Sequence, residues 1–276
     1  MFWKFHNLMV LCTGGAMVFS PSSTNRTESA AAPSYKIVVA KAEPGLAKAM
    51  HRGTKEMPYC IYLTFDDGPS EGSQTVNALA LKDSLSINVF LIGRNACLTK
   101  KSRDMVMDYE SNPFVEVGNH SFTHANKKYE AFFKNPADVL ADFNRSKDSL
   151  HLTNGLIRLP GRNFFRVGPL TRNDHNNGRE SADTLAANGY RVYGWDLEWR
   201  RRAGRGIATH TGPGMLELVN GMLEKQHTFL PGCLVLLLHD QDCRDPRFID
   251  AVTEFIRLAR EDGRYRFGHL SELGGE

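Results

Sequence analysis

After its first twenty residues the chain has no apolar run long enough to cross a bilayer, so no internal membrane span is expected. Charge of one sign is also scarce. With 34 Lys and Arg against 31 Asp and Glu the net charge is only +3, too small to argue for nucleic acid. There are only five cysteines in 276 residues and none in CxxC spacing, which removes the zinc-knuckle reading. Past about residue 58 there is neither a convincing internal repeat nor a low-complexity tract. What remains is 41% hydrophobic and 24% charged, enough for a sizeable core in one large domain or two small ones.

The first fifty residues differ from the rest. Met1 to His6 carries one lysine, Asn7 to Phe19 is small and apolar, and a polar stretch, "SPSSTNRTESAAAPS", follows. This is the layout of an export signal and a tether, with Ala30-Ala31-Ala32 as a cleavage context. A signal segment is expected at 1–32, a flexible tether at 33–58 and the functional domain at 59–276. The place of action would be secreted or periplasmic, with no transmembrane span in the mature chain. Once a signal is removed Cys60, Cys97, Cys233 and Cys243 remain, and they allow three pairings. Cys60 and Cys233 open apolar runs and read as small buried hydrophobes.

From Tyr59 onward short apolar runs alternate with amphipathic stretches. "YCIYLTF", "INVFLIG", "FVEVGNH", "GLIRLPG", "YRVYGWDLEW" and "GCLVLLLHD" read as strands, with "RYRFGHL" closing the chain. "EGSQTVNALALKDSL", "SRDMVMDYESN", "NPADVLADFNRSKDSLHL", "SADTLAANG", "GPGMLELVNGMLEKQ" and "PRFIDAVTEFIRLAREDG" read as helices. Regular alternation predicts an α/β fold with a parallel sheet, and the wholly apolar "LVLLL" predicts a strand buried on both faces.

Chemically able residues collect just after these strands. Asp66 and Asp67 follow the first, His120 and His124 the third. Arg158 ends the fourth, Asp196, Glu198 and Trp199 end the fifth, and His239 ends the sixth. In a parallel barrel the C-terminal strand ends line one rim, so these residues are expected to share a pocket. Two adjacent carboxylates repel unless a cation or a proton-transfer role separates their duties. "HSFTH" places two histidines four apart, as on one side of a helical turn, and a carboxylate from "FDD" would complete a two-His-one-carboxylate metal site. Such a site leaves positions open for water and a carbonyl, which is what hydrolysis needs.

"TFDDGPS", "INVFLIG", "VGNHSFTH", "RLPG", "WDLEW" and "LLLHD", in that order, resemble the NodB-like polysaccharide deacetylases, the fourth carbohydrate esterase family. The likeness runs from about Tyr59 to Leu270. It implies a distorted (β/α) barrel and a hydrolase acting on non-peptide carbon–nitrogen bonds, a polysaccharide N-deacetylase that uses Zn2+ or another divalent metal such as Co2+. It makes Asp66 the catalytic base and Asp67, His120 and His124 the metal ligands. Arg158 becomes the brace of the base, His239 the acid, and Leu237 the wall of the acetyl pocket.

Two departures from the family pattern stand out. Gly161, in "RLPGRN", stands where the family carries an aromatic; its N–H would still serve an oxyanion, with the missing wall supplied from elsewhere, as by Phe164 or Phe165. "GWDLEW" leaves Asp196 or Glu198 to orient His239, and Trp199 is expected to line the sugar groove. The expected partner is an N-acetylated polysaccharide, peptidoglycan ahead of chitin-type oligomers and exopolysaccharide, and a monomer is expected. The alternatives are an O-acetyl esterase and a catalytically inactive carbohydrate-binding relative.

Overall fold

A computed structural model describes residues 57–173, 177–201 and 208–274. The expected signal segment and nearly all of the tether lie outside the described residues. The strands are β1 (Tyr59–Gly68), β2 (Ile87–Leu91), β3 (Val115–Asn119), β4 (Leu156–Ile157), β5 (Phe165–Val167), β6 (Leu170–Arg172), β7 (Arg191–Val192), β8 (Leu197–Glu198), β9 (Cys233–His239) and β10 (Tyr265–Phe267). They form one sheet in the order β6-β5-β7-β4-β3-β2-β1-β9-β8, with β10 beside the start of β1. Pairing is parallel except where β5 meets β6 and β7. The sheet curls into the distorted (β/α) barrel expected from the sequence.

The helices are α1 (Ser73–Lys82), α2 (Gly93–Leu98), α3 (Lys100–Ser111), α4 (Tyr129–Phe132), α5 (Pro136–Ser149), α6 (Arg179–Ala187), α7 (Gly212–Glu224) and α8 (Pro246–Asp262). The ends of α8 follow from its sequence. Asp245 accepts from the Arg247 N–H at the N-cap, Pro246 opens the first turn, and Gly263, at φ 73°, ends the helix in the left-handed region. No helix among the described residues is long and apolar enough to cross a membrane.

The period-2 geometry of a strand decides what each residue faces. In β1, Ile61, Leu63 and Phe65 pack in the core beneath α1, α7 and α8, while Cys60 and Tyr62 belong to the cluster on the other face. By the same alternation Thr64 and Asp66 share that second face. In β9, Leu234, Leu236 and Leu238 enter the first core, which leaves Leu237 and His239 on the side of Cys233 and Val235. The register then aligns Asp66 with His239. Cys60 and Cys233 are also register partners; both are buried, as is Cys243, while Cys97 is exposed.

"YRVYGWDLEW" is not one strand. It divides into β7 and β8 because Asp196 between them turns inward to take two backbone N–H groups. The hairpin of β5 and β6 carries no alternation long enough to be read in advance.

Candidate active site

The C-terminal ends of β1, β3, β8 and β9 meet at a pocket of about 380 Å³, lined among others by Asp66, Asp67, His120, His124, Glu198 and His239. The adjacent aspartates diverge because β1 slips register against β2 between Asp66 and Gly68, and Asp67 takes the left-handed φ of 72°. Such a bulge re-aims successive side chains.

Asp66 stays on the inner face. Its Oδ1 accepts from Arg158 Nη1 at 2.9 Å. The Arg158 guanidinium is fully buried and also donates to Thr64 Oγ1 at 2.8 Å and to the carbonyls of Tyr193 and Gly194. It lies over the Phe90 ring at 4.4 Å. Burial pushes this guanidinium below its ordinary value and Asp66 pulls it back, so it remains a cation. Asp66 Oδ2 is left facing His120 Nε2 at 3.7 Å.

Asp67 faces the two histidines instead. Its Oδ1 lies 3.5 Å from His120 Nε2 and 3.0 Å from His124 Nε2. One ligand atom from each of Asp67, His120 and His124 lies within 4.8 Å of the others. His120 Nδ1 sits 2.9 Å from the Arg158 carbonyl oxygen, which can only accept, so Nδ1 carries the hydrogen and Nε2 turns its lone pair to Asp67. A lone pair facing a carboxylate needs a cation or a proton between them. Asp67 Oδ1 is itself buried without a hydrogen-bond donor, so the donor set fits a divalent metal. Burial tends to raise the Asp67 carboxyl, but His120 and His124 outweigh it and hold it well below the usual range. Burial tends to lower the His120 imidazole, but Asp66 and Asp67 outweigh it and raise it.

The histidines are brought together by a loop rather than by a helical turn. Ser121 and His124 have φ of 64° and 51°, and the short turn His124–Lys127 contains left-handed residues. The four-residue spacing thus brings the two imidazoles together through left-handed loop residues, not through the helical turn expected from the sequence. Asp142 holds the loop by accepting from the N–H groups of Phe122 and Thr123.

On the opposite wall Leu237 and His239 rise from β9, and Glu198 Oε1 lies 3.8 Å from His239 Nε2. Asp196 is not beside His239. It is buried, accepts from the N–H groups of Phe229 and Val235, and lies 3.5 Å from Arg172. Burial raises its carboxyl, with those N–H groups and Arg172 opposing. Trp199 does not line the groove either. It is fully buried against Phe248 and Phe255, and its Nε1 donates to the His210 carbonyl. Trp195 is the tryptophan on the pocket wall.

Gly161 lies on the pocket wall as expected, but the space next to it is not filled by Phe164 or Phe165, both of which are buried in cores. It is filled by Tyr129, whose ring meets His124 edge-on and whose hydroxyl is 3.4 Å from His124 Nδ1. Nothing near "KKYEAF" signals this role, because the contact is made between segments more than thirty residues apart. Arg200, Arg201, Gln241 and Asp242 also border the pocket and were not singled out from the sequence.

The fold is shared with solved structures of family 4 carbohydrate esterases. The chain is similar to a Streptococcus mutans CE4 esterase at 19% identity and TM-score 0.58, over 83% of this chain and 91% of that one. It is similar to the catalytic domain of a peptidoglycan N-acetylglucosamine deacetylase from Eubacterium rectale at 19% identity and TM-score 0.56, over 79% and 90%. A CE4 family pseudoenzyme from Bacillus anthracis also matches, at 16% identity and TM-score 0.56, over 82% and 67%. No curated protein matches the chain. Residues 54–161, which carry both aspartates and both histidines, match the family model for polysaccharide deacetylase.

Proposed function

We propose that this protein is a metal-dependent N-deacetylase that hydrolyses acetamido groups on amino sugars within a polysaccharide. The observation that carries the reading is the division of labour between neighbours: Asp66 is held by Arg158, Asp67 by two imidazoles, and both face His239 across one pocket. A pseudoenzyme with this fold exists, and the complete set of acid, base and ligand residues argues against that state here.

Asp67, His120 and His124 would hold the cation, Zn2+ foremost or Co2+, which when bound draws charge to the acetyl oxygen and makes water more acidic. Asp66 has one oxygen committed to Arg158 and the other free to accept the proton of the attacking water. The Gly161 N–H, on the pocket wall, stabilises the oxygen as it gains charge. Leu237 offers an apolar surface to the acetyl methyl. His239 donates its proton to the departing amine, with Glu198 Oε1 lying 3.8 Å from its Nε2. Acetamide and water become acetate and a free amine.

The family and the pocket set no particular polymer. Peptidoglycan is our preferred substrate because it is the abundant N-acetylated polymer within reach of a bacterial exported enzyme, and the N-terminal composition fits export. The test is acetate release from purified sacculi, N-acetylglucosamine oligomers and O-acetylated glycans, with metal-loaded and chelated protein. Acetate from sacculi that vanishes on chelation supports the reading. Release from oligomers alone rejects peptidoglycan, release from O-acetyl substrates alone rejects the amide, and full activity in metal-free protein rejects the metal. Cell fractionation tests export; an unprocessed chain confined to cytosol rejects it.

A further inference from the structure

Asp240 directly follows His239, and no role in the chemistry above uses it. It is about as buried as any residue in the fold, at 1% exposure. Its hydrogen-bond donors are two neutral hydroxyls. Ser73 Oγ donates to Oδ2 at 2.6 Å and Tyr109 Oη to Oδ1 at 3.0 Å. A buried carboxyl served only by hydroxyls is costly, and an amide or an apolar residue would fill the space at less cost. Such a residue is retained for what it positions rather than for stability.

What it touches is the turn that follows the twin aspartates. A β-carbon on Gly68 would collide with Asp240 Oδ2, and one on Gly72 with the Asp240 carbonyl oxygen. Those two close approaches account for both glycines of "DDGPSEG". Ser73 Oγ, while donating to Asp240, accepts from the Ser70 N–H at 2.7 Å and so closes the turn on itself. The Gly68 carbonyl is held in turn by the Ile92 N–H at 2.7 Å. Gly68 adjoins Asp67, whose left-handed backbone is what aims its carboxylate at the histidines. On its other side Asp240 is continuous with His239. One side chain thus ties the strand end that bears the acid to the turn that bears the metal-site carboxylate.

We propose that Asp240 is a positioning residue that sets Asp67 and His239 relative to each other, acting through Ser73 and the backbone of Gly68 and Gly72. This rests on the reading of Asp67 as a metal-site carboxylate and His239 as the acid. Tyr109, from α3, anchors the second oxygen so that the carboxyl cannot rotate away from Ser73.

The experiment compares wild type with Asp240→Asn, Ser73→Ala and the double variant, all as the full chain. Three quantities are read: Zn2+ affinity by competition with a chromophoric chelator, the visible spectrum of the Co2+ form, and kcat and KM for acetate release. Asp240→Asn is expected to weaken Zn2+ binding by roughly tenfold or more, the size seen when outer partners of metal ligands are removed. It should shift the Co2+ spectrum and lower kcat with KM little changed. Ser73→Ala should move the same quantities in the same direction, and the double variant should be no worse than Asp240→Asn, because both act through one bond. Wild-type Zn2+ affinity and spectrum in a folded Asp240→Asn overturn the assignment. If Asp240→Asn does not fold, wild-type values in Ser73→Ala overturn it. Failure of the wild type itself to bind metal is a different result, since it rejects the metal site and not the tie between the strands.

Discussion

The ring of Tyr129 stands 3.3 Å from the point where a β-carbon on Gly161 would lie, and Gly161 has a φ of 61°. The wall that the family builds with a side chain after the Arg-x-Pro segment is built here from α4. Gly161→Ala should therefore lose twice, by left-handed strain of about 1–2 kcal/mol and by pressing on Tyr129. Tyr129→Ala should raise KM for a polymeric substrate, on the order of tenfold for the lost ring contact. Tyr129→Phe keeps the wall and loses the hydroxyl beside His124, so it should leave KM close to wild type. Steady-state acetate release on all three variants checks this; equal KM values for Tyr129→Ala and wild type would remove Tyr129 from the groove.

The adjacent aspartates should separate on mutation. Asp66→Asn keeps the three metal-site residues and loses the proton acceptor, so metal binding should persist while kcat falls by about a hundredfold or more. Asp67→Asn should lose metal affinity first. Metal titration by competition, run beside turnover, tells them apart, and identical titrations for both variants would reverse the assignment.

Stability of the metal-free protein should fall as pH rises from about 4 to 7. Burial raises the Asp240 carboxyl to about 7, with the Ser73 and Tyr109 hydroxyls opposing and the Asp67 charge adding to the rise. A folded carboxyl raised above its unfolded value contributes stability that is complete below the unfolded pKa and lost as pH rises through the folded one. His120, also raised, works in the same direction, whereas Asp67, held low, contributes above the unfolded carboxylate value and loses it in acid. Asp240→Asn removes one of these contributions, worth at most about 4 kcal/mol. Melting temperatures across pH 4–8 in chelator should show a shallower decline in the variant than in wild type; parallel profiles would contradict the Asp240 shift.

Trp199 should behave as a core residue. Trp199→Ala should cost about 3–5 kcal/mol of unfolding free energy, as large-to-small changes in cores do. Trp195→Ala should instead alter KM with a smaller effect on stability. Denaturant unfolding of both variants is the check, and a Trp199→Ala protein of wild-type stability would return Trp199 to the groove.

The sequence alone determined the alternation of strands and helices, and with it an α/β fold with a parallel sheet, because hydrophobic period and turn residues are local signals; the barrel itself was implied by the resemblance of its motifs. It also placed Asp66, Asp67, His120, His124, Arg158, Leu237 and His239 at one rim, since strand ends converge in a parallel barrel whatever the loops do. Tertiary structure decided the rest. Local pattern treats Asp196, Glu198 and Trp199 as equivalent candidates, yet Asp196 is drawn inward by unpaired backbone N–H groups, Trp199 by the aromatic core, and only Glu198 approaches His239. Tyr129 filling the space beside Gly161, and Asp240 wedged against Gly68 and Gly72, are contacts across 32 and more than 160 residues of chain. No periodicity encodes such contacts, because they depend on close packing between elements whose relative placement is settled only when the whole core is buried.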